Sequence, residues 1–145
     1  VIDRLLVELG SRGAQIRAQA LHTMSKIGGP RVWPAITSDL LKDADDAVAR
    51  VAWRTAARHV PAAEASALAT TLATQFARGE DDTQRSLSEA FATLGEPARP
   101  QVDWALATGG PYTRAHAAVT ARLMDDPEAT YDEAVAAAQA SEVGR

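Results

Sequence analysis

The chain has 145 residues, of which 46% are hydrophobic, so it can bury one continuous core as a single domain over residues 1–145. It contains no cysteine, which excludes disulfides, thiolate metal sites and cysteine nucleophiles. A formal net charge of -4 argues against a protein whose whole surface attracts polyanions. No apolar run in the sequence reaches the length of a membrane span.

Helical periodicity, glycine and proline breakers and aspartate caps predict four helical pairs followed by one last helix. Alanine carries much of the apolar content and only 5% of the residues are aromatic, which favours an all-α chain with closely packed helices. In chain order, the expected helices cover residues 1–9, 11–27, 31–42, 47–60, 62–78, 83–94, 98–107, 111–124 and 125–140. Residues 141–145 are expected to form a frayed tail.

The second helix of each pair carries a repeated apolar pattern. Steps of four, four and three residues from Val48 reach Ala52, Ala56 and His59, which lie along one side of a helix. The same spacing fits three more helices, at Ile16, Ala20, Met24 and Ile27, at Thr83, Leu87, Phe91 and Leu94, and at Thr113, Ala117, Ala121 and Met124. A proline closely follows each copy. Copies separated by 32, 35 and 30 residues predict a stacked array of helical pairs.

This pattern resembles HEAT repeats of the short bacterial type, which also occurs in the phycobilin lyase family. The resemblance rests on Ile16-Arg17 with its following alanines and closing Ile27-Gly28-Gly29-Pro30, and again on Thr113-Arg114. Arg50 and Arg85 stand one place later than Arg17 and Arg114. The resemblance implies a right-handed α-solenoid of about four and a half antiparallel helical pairs, similar to HEAT and armadillo superhelices. Its first helices would be convex and its second helices concave.

Basic residues are concentrated on the second helices and their leading turns, where Glu89 is the only acid within the helix bodies. The basic residues there are Arg12, Arg17, Lys26, Arg50, Arg54, Arg58, Arg85, Arg114 and Arg122. If these helices line the concave side, that side is basic on an otherwise acidic molecule and attracts an acidic segment. The residues expected to bind it are Arg17, Arg50, Arg54, Arg85 and Arg114. In the alternative interpretation, the arginines pair with capping aspartates and only align the stack.

Other candidate sites have structural explanations. Trp53 is expected in the core, whereas Trp33 and Trp104 are expected to cover junctions between repeats. No two histidines have the i, i+4 spacing of a helical metal site. The aspartates of residues 43–46 are expected to cap a helix, because Val48 replaces the glycine that an EF-hand loop requires. We therefore predict no catalytic residue, metal or cofactor.

The sequence favours a non-enzymatic scaffold or protein-interaction module in the cytoplasm, with an acidic protein segment as its partner. One alternative is a structural or oligomerisation domain of a longer protein, since the chain opens at Val1 within an apolar periodic pattern. A second is a nucleic-acid-binding domain similar to the HEAT-like DNA glycosylases. The negative net charge of the chain argues against this alternative. A third is a component similar to the chromophore lyases.

Overall fold

A computed structural model describes residues 1–143, which form ten α-helices and contain no β-strand. The helices are α1 (Ile2–Glu8), α2 (Ala14–Ile27), α3 (Val32–Ala35), α4 (Ser38–Leu41), α5 (Asp46–His59), α6 (Ala65–Ala73), α7 (Asp81–Leu94), α8 (Arg99–Thr108), α9 (Pro111–Asp125) and α10 (Tyr131–Val143). The prediction of an all-α chain is confirmed. None of these helices combines the length and the apolar character needed to cross a membrane.

Eight of these helices pack in two rows of four, and α3 is a short helix in the connection between α2 and α4. The four longest, α2, α5, α7 and α9, form what we call the long row, in which each helix packs on the next. The short row consists of α1, α4, α6 and α8, each of which packs against the long-row helix that follows it. Within the short row, α4 contacts α6 and α6 contacts α8. The two helices of each pair are therefore adjacent both in sequence and in space, as local connections favour.

The core lies between the two rows and is built largely from the repeated apolar pattern. Val48, Ala52 and Ala56 on α5 are fully buried, and Leu87 and Phe91 on α7 are equally buried. Phe91 stacks on Phe76 with ring centroids 5.0 Å apart. The first copy departs from the pattern, because Ile16 and Ile27 are half exposed. Its helix, α2, is the first of the long row and has a long-row neighbour on one side only.

The three tryptophans have different environments. Trp53 is fully buried, as predicted, and its indole Nε1 donates a hydrogen bond of 2.7 Å to the carbonyl of Leu41 at the end of α4. Trp33 donates to a Glu64 carboxylate oxygen at 2.7 Å and so joins two successive pairs. The junction predicted for Trp104 is not formed, because this side chain is 63% exposed on α8.

Helices α1 and α2 are slightly shorter than predicted, and two other predicted helices differ more. Residues 31–42 form two four-residue helices, because Ile36 and Thr37 are extended and the Thr37 side chain caps α4 by accepting from the Leu40 N–H. The helix expected at 62–78 ends at Ala73. There the Thr74 hydroxyl donates to the Thr71 carbonyl at 2.6 Å, a local bond that competes with helix continuation.

The last helix begins later than predicted and extends further. Its start is set by a capping box, in which the Glu133 N–H donates to the Thr130 hydroxyl and the Thr130 N–H donates to the Glu133 carboxylate. The helix therefore begins at Tyr131 rather than at 125, and it continues to Val143 through part of the predicted frayed tail. Gly144 and Arg145 lie outside the described residues.

We predict that Trp53→Phe lowers the free energy of unfolding by about 1–3 kcal/mol, because it removes the buried hydrogen bond and leaves the Leu41 carbonyl without its donor. Equilibrium unfolding in urea measures this loss. Trp104→Phe is the matched control and should change stability by less than about 0.5 kcal/mol, since its side chain is exposed. Equal losses in the two variants would contradict the assignment of Trp53 to the core.

Candidate protein-interaction face

Arg17 is held inside the scaffold by an ion pair with the turn before α5. Its Nε and Nη2 atoms donate to the two carboxylate oxygens of Asp43, both at 3.0 Å, and its Nη1 donates to the Ser11 carbonyl at 2.8 Å. Both side chains of the pair are largely buried. All three donating nitrogens of Arg17 are therefore engaged, and this residue aligns the first two pairs, as in the alternative interpretation of the arginines.

Several neighbouring groups affect the pKa of the Asp43 carboxyl. Burial would raise its pKa, but the hydrogen bond from Arg17, the backbone N–H of Asp45 and the charges of Arg17 and Arg78 together lower it below the ordinary value. Asp45, two residues on, accepts from the N–H groups of Ala47 and Val48. The prediction that these aspartates cap α5 is confirmed for Asp45.

Arg78 holds the same turn from the opposite side and was not among the predicted residues. Its Nε donates to Asp46 at 2.9 Å, its Nη1 donates to Gln75 at 3.1 Å, and its Nη2 donates to the Asp43 carbonyl. Its guanidinium also lies 5.8 Å from the ring centroid of Trp53. The turn before α5 is thus fixed by one arginine from the preceding pair and one from the following pair. Arg78 lies outside the repeated pattern, so the spacing gave no signal for it.

Two further predicted arginines also have partners within the chain. Arg50 donates from Nε to the buried hydroxyl of Ser86 at 2.9 Å, which links α5 to α7. Arg85 lies 3.5 Å from a carboxylate oxygen of Asp132 and 5.2 Å from the ring centroid of Tyr131, which links α7 to α10. These contacts connect helices and do not present the guanidinium groups together to a partner.

Arg54 and Arg114 are the two remaining predicted arginines, and both are exposed. Neither forms an ion pair or a side-chain hydrogen bond within the part of the chain that the structure describes. They do not lie together, because Arg54 is on α5 and Arg114 is on α9. The five predicted arginines therefore form no single cluster.

A continuous exposed surface runs along α2 and α5, and we call it the open face. It is formed by residues 32 positions apart on the two helices, all exposed except the partly buried Val51, namely Gln15, Gln19, His22 and Lys26 on α2 and Ala47, Val51, Arg54 and Arg58 on α5. A groove of about 1260 Å³ lies on this face, between the N-terminal halves of the two helices and the end of α1. Because residues from the first half of each helix line the same groove, the two helices run in parallel.

The open face changes character along its length. The groove at its N-terminal end is mostly apolar and is lined by Val7, Ile16, Ala47 and Val51, with Val7 78% exposed and Ile16 48% exposed. Its lining also includes polar residues, namely Glu8, Ser11, Gln15, Gln19, His22 and Asp45. The C-terminal end of the open face is cationic, with the exposed side chains of Lys26, Arg54 and Arg58. None of these three has an ion-pair partner among the residues that the structure describes. The face therefore combines a groove that can accept apolar side chains with exposed positive charges toward its other end.

The corresponding face of α9 is covered by α10. With the same repeat spacing, Val119 and Leu123 occupy the positions of Arg54 and Arg58, and both are buried in a small second core with Tyr131 and Ala134 of α10. Ala92 of α7 packs against this core. Since α10 also reaches Arg85, it lies over the seam between α7 and α9 rather than extending the short row.

The histidines and acids do not form a metal site in the described part of the chain, where no three potential ligands converge. The Nδ1 atom of His116 forms a hydrogen bond with the Phe76 carbonyl, and the Nε2 atom of His59 is buried without a partner. His22 is exposed on the open face.

Comparison with models of protein families gives no match, and comparisons with curated proteins and with solved structures give none either.

We predict that Arg17→Gln lowers the free energy of unfolding by about 1–3 kcal/mol, because it leaves the largely buried carboxylate of Asp43 without its bidentate partner. Urea unfolding measures the difference. The matched control is Arg54→Gln, which removes an exposed charge and should leave stability within about 0.5 kcal/mol of the original. An unchanged stability in Arg17→Gln would show that the ion pair does not hold the pairs together.

We also predict a pH dependence that originates at Asp43. Its pKa in the folded state lies below the ordinary value of 3.8, so its contribution to stability is complete above that pH and is lost as the pH falls toward the folded pKa. The original chain should therefore lose free energy of unfolding more steeply than Arg17→Gln as the pH falls below about 4. Urea titrations at a series of pH values compare the two, and parallel losses would assign the acid sensitivity to other groups.

Proposed function

We propose that this chain is a non-catalytic protein-interaction module that binds an acidic segment of another protein on its open face. We further propose that its architecture is HEAT-like, a right-handed α-solenoid of about four and a half antiparallel pairs with the long row on the concave side. The two packed rows support the architecture, because nearest-neighbour stacking of helical pairs is typical of solenoids.

The observation that carries the proposal is the set of available cations on the open face. Lys26, Arg54 and Arg58 are exposed beside a groove, on a chain whose formal net charge is -4. Charges of this sign concentrated on one surface attract an acidic partner and form charge-assisted hydrogen bonds with its carboxylates. Of the five arginines expected from the sequence, Arg54 remains in the proposed site, and Arg58 and Lys26 join it.

A structural or oligomerisation domain is the second candidate function. It is favoured by the exposed apolar side chains of Val7 on α1 and Ile16 on α2, in the first helical pair, which a second copy or another domain could cover. A nucleic-acid binder is less well supported, because the net charge opposes attraction of phosphate backbones. Solution mass measured over a range of concentrations tests the oligomer, and retention on heparin tests the nucleic-acid binder.

We predict that a protein captured by this chain from its source lysate is lost when Arg54→Glu and Arg58→Glu are combined. Capture by the original chain should also weaken as the salt concentration rises from about 50 to about 300 mM, since exposed charges are screened. The matched control combines Arg114→Glu and Arg122→Glu, which makes the same charge change on exposed residues of α9. Equal loss in both double variants, or capture insensitive to both, would contradict the proposed site.

A further inference from the structure

We infer that the segment bound on the open face is an amphipathic helix that lies along the groove between α2 and α5. Its apolar residues would pack beside Val7, Ile16 and Val51, and its acidic residues would reach Lys26, Arg54 and Arg58. This inference rests on the proposed function and names the chemistry of its partner.

The docking of α10 provides a precedent within the same molecule. On α9, the surface equivalent to the open face is covered by a helix whose buried residues, Tyr131 and Ala134, pack on Val119 and Leu123. The same helix carries an acid, Asp132, that lies beside the arginine of the neighbouring long-row helix. This face of the long row therefore accepts a helix through small apolar contacts combined with an acid–arginine contact.

The groove favours a helix over an extended peptide. An extended segment needs partners for its backbone N–H and C=O groups, which sheets supply by edge pairing. Beyond their first turns, α2 and α5 offer side chains only, because their backbone groups are hydrogen-bonded within each helix, and the described chain contains no strand edge. A helix satisfies its own backbone and needs only a complementary row of side chains.

The distribution of charge sets the direction of the bound helix. Lys26, Arg54 and Arg58 lie in the C-terminal halves of α2 and α5, where the backbone carbonyls carry partial negative charge. A partner helix whose acidic first turn lies there places its own positive end beside those carbonyls, and its acids stabilise that end. The partner helix should therefore run antiparallel to α2 and α5, with its acids in its first turns and its apolar residues in its last turns.

Two synthetic helical peptides test this inference. Both contain about 16 residues, which gives a helix of about 24 Å, close to the length of α2 or α5. The first peptide carries glutamates on one face of its first two turns and leucines on the same face of its last two turns. The second has the same composition with the order of the two blocks reversed. Fluorescence anisotropy measures the affinity of each labelled peptide for the full chain.

We predict that the first peptide binds about threefold more tightly than the second, because the second matches both ends only when it runs parallel to α2 and α5, which places its negative helix end and its acids beside their C-terminal carbonyls. The combined substitutions Arg54→Glu and Arg58→Glu should weaken its binding by at least about tenfold. Ile16→Ser, at an exposed position that the fold does not require, should weaken it by about threefold or more. Arg114→Glu is the control and should leave the affinity unchanged.

Several outcomes would overturn the inference. These are equal affinity for the two peptides, binding unaffected by Ile16→Ser, or a bound peptide that gains no helical signal in circular dichroism. If both peptides fail while lysate capture still requires Arg54 and Arg58, the partner is acidic but not such a helix, and the proposed function stands alone. If capture also ignores these arginines, the proposed function fails as well.

Discussion

The clamp of two arginines on the turn before α5 is the contact on which the arrangement of the chain depends. Arg17 reaches forward from the first pair and Arg78 reaches back from the third, and both bind residues of the same turn. Since α5 packs between α2 and α7 in the long row, fixing its entry also fixes the spacing of its neighbours. A guanidinium held by two carboxylate oxygens restricts orientation as well as distance, which a purely apolar contact does not.

The basic residues fall into two groups according to the direction of their side chains. Arginines that point between helices, such as Arg17, Arg50 and Arg78, have acceptors inside the scaffold. Basic residues that point away from the rows, such as Lys26, Arg54 and Arg58, are exposed. A count of positive charges on each helix therefore overstates the charge that is accessible to a partner. The direction of each side chain decides which charges are available for binding.

Much of the fold follows from patterns that are local in the sequence. The four-four-three spacing correctly located the buried side of the long row, including Val48, Leu87 and Phe91, and Asp45 was a recognisable cap. Other features depend on residues far apart. Pairing of arginines with capping aspartates was one interpretation of the sequence, but no spacing rule within one helix identifies Asp43 as the partner of Arg17. The break at Ile36 and Thr37 also escaped prediction, because the apolar positions of residues 31–42 fit a continuous helix.

The position of α10 could be predicted only in part from the sequence. The sequence contained signals, since Thr130 and Glu133 form a capping box and Val119 and Leu123 replace arginines at equivalent positions. Those signals show that α9 has one additional buried side, but they do not show which helix covers it. That choice depends on the path of the turn after α9 and on the contact of Arg85 with Tyr131 and Asp132.

Because of the position of α10, the two ends of the long row should differ in how easily they unfold. By contacting both α7 and α9, α10 ties two long-row helices together, whereas α1 packs mainly against α2 and has one further ion pair, from Asp3 to Arg31. In a stack held by nearest-neighbour contacts, the end with fewer contacts opens first. The open face then lies on the more labile half of the molecule, so occupation of its groove would also suppress local unfolding of α1 and α2.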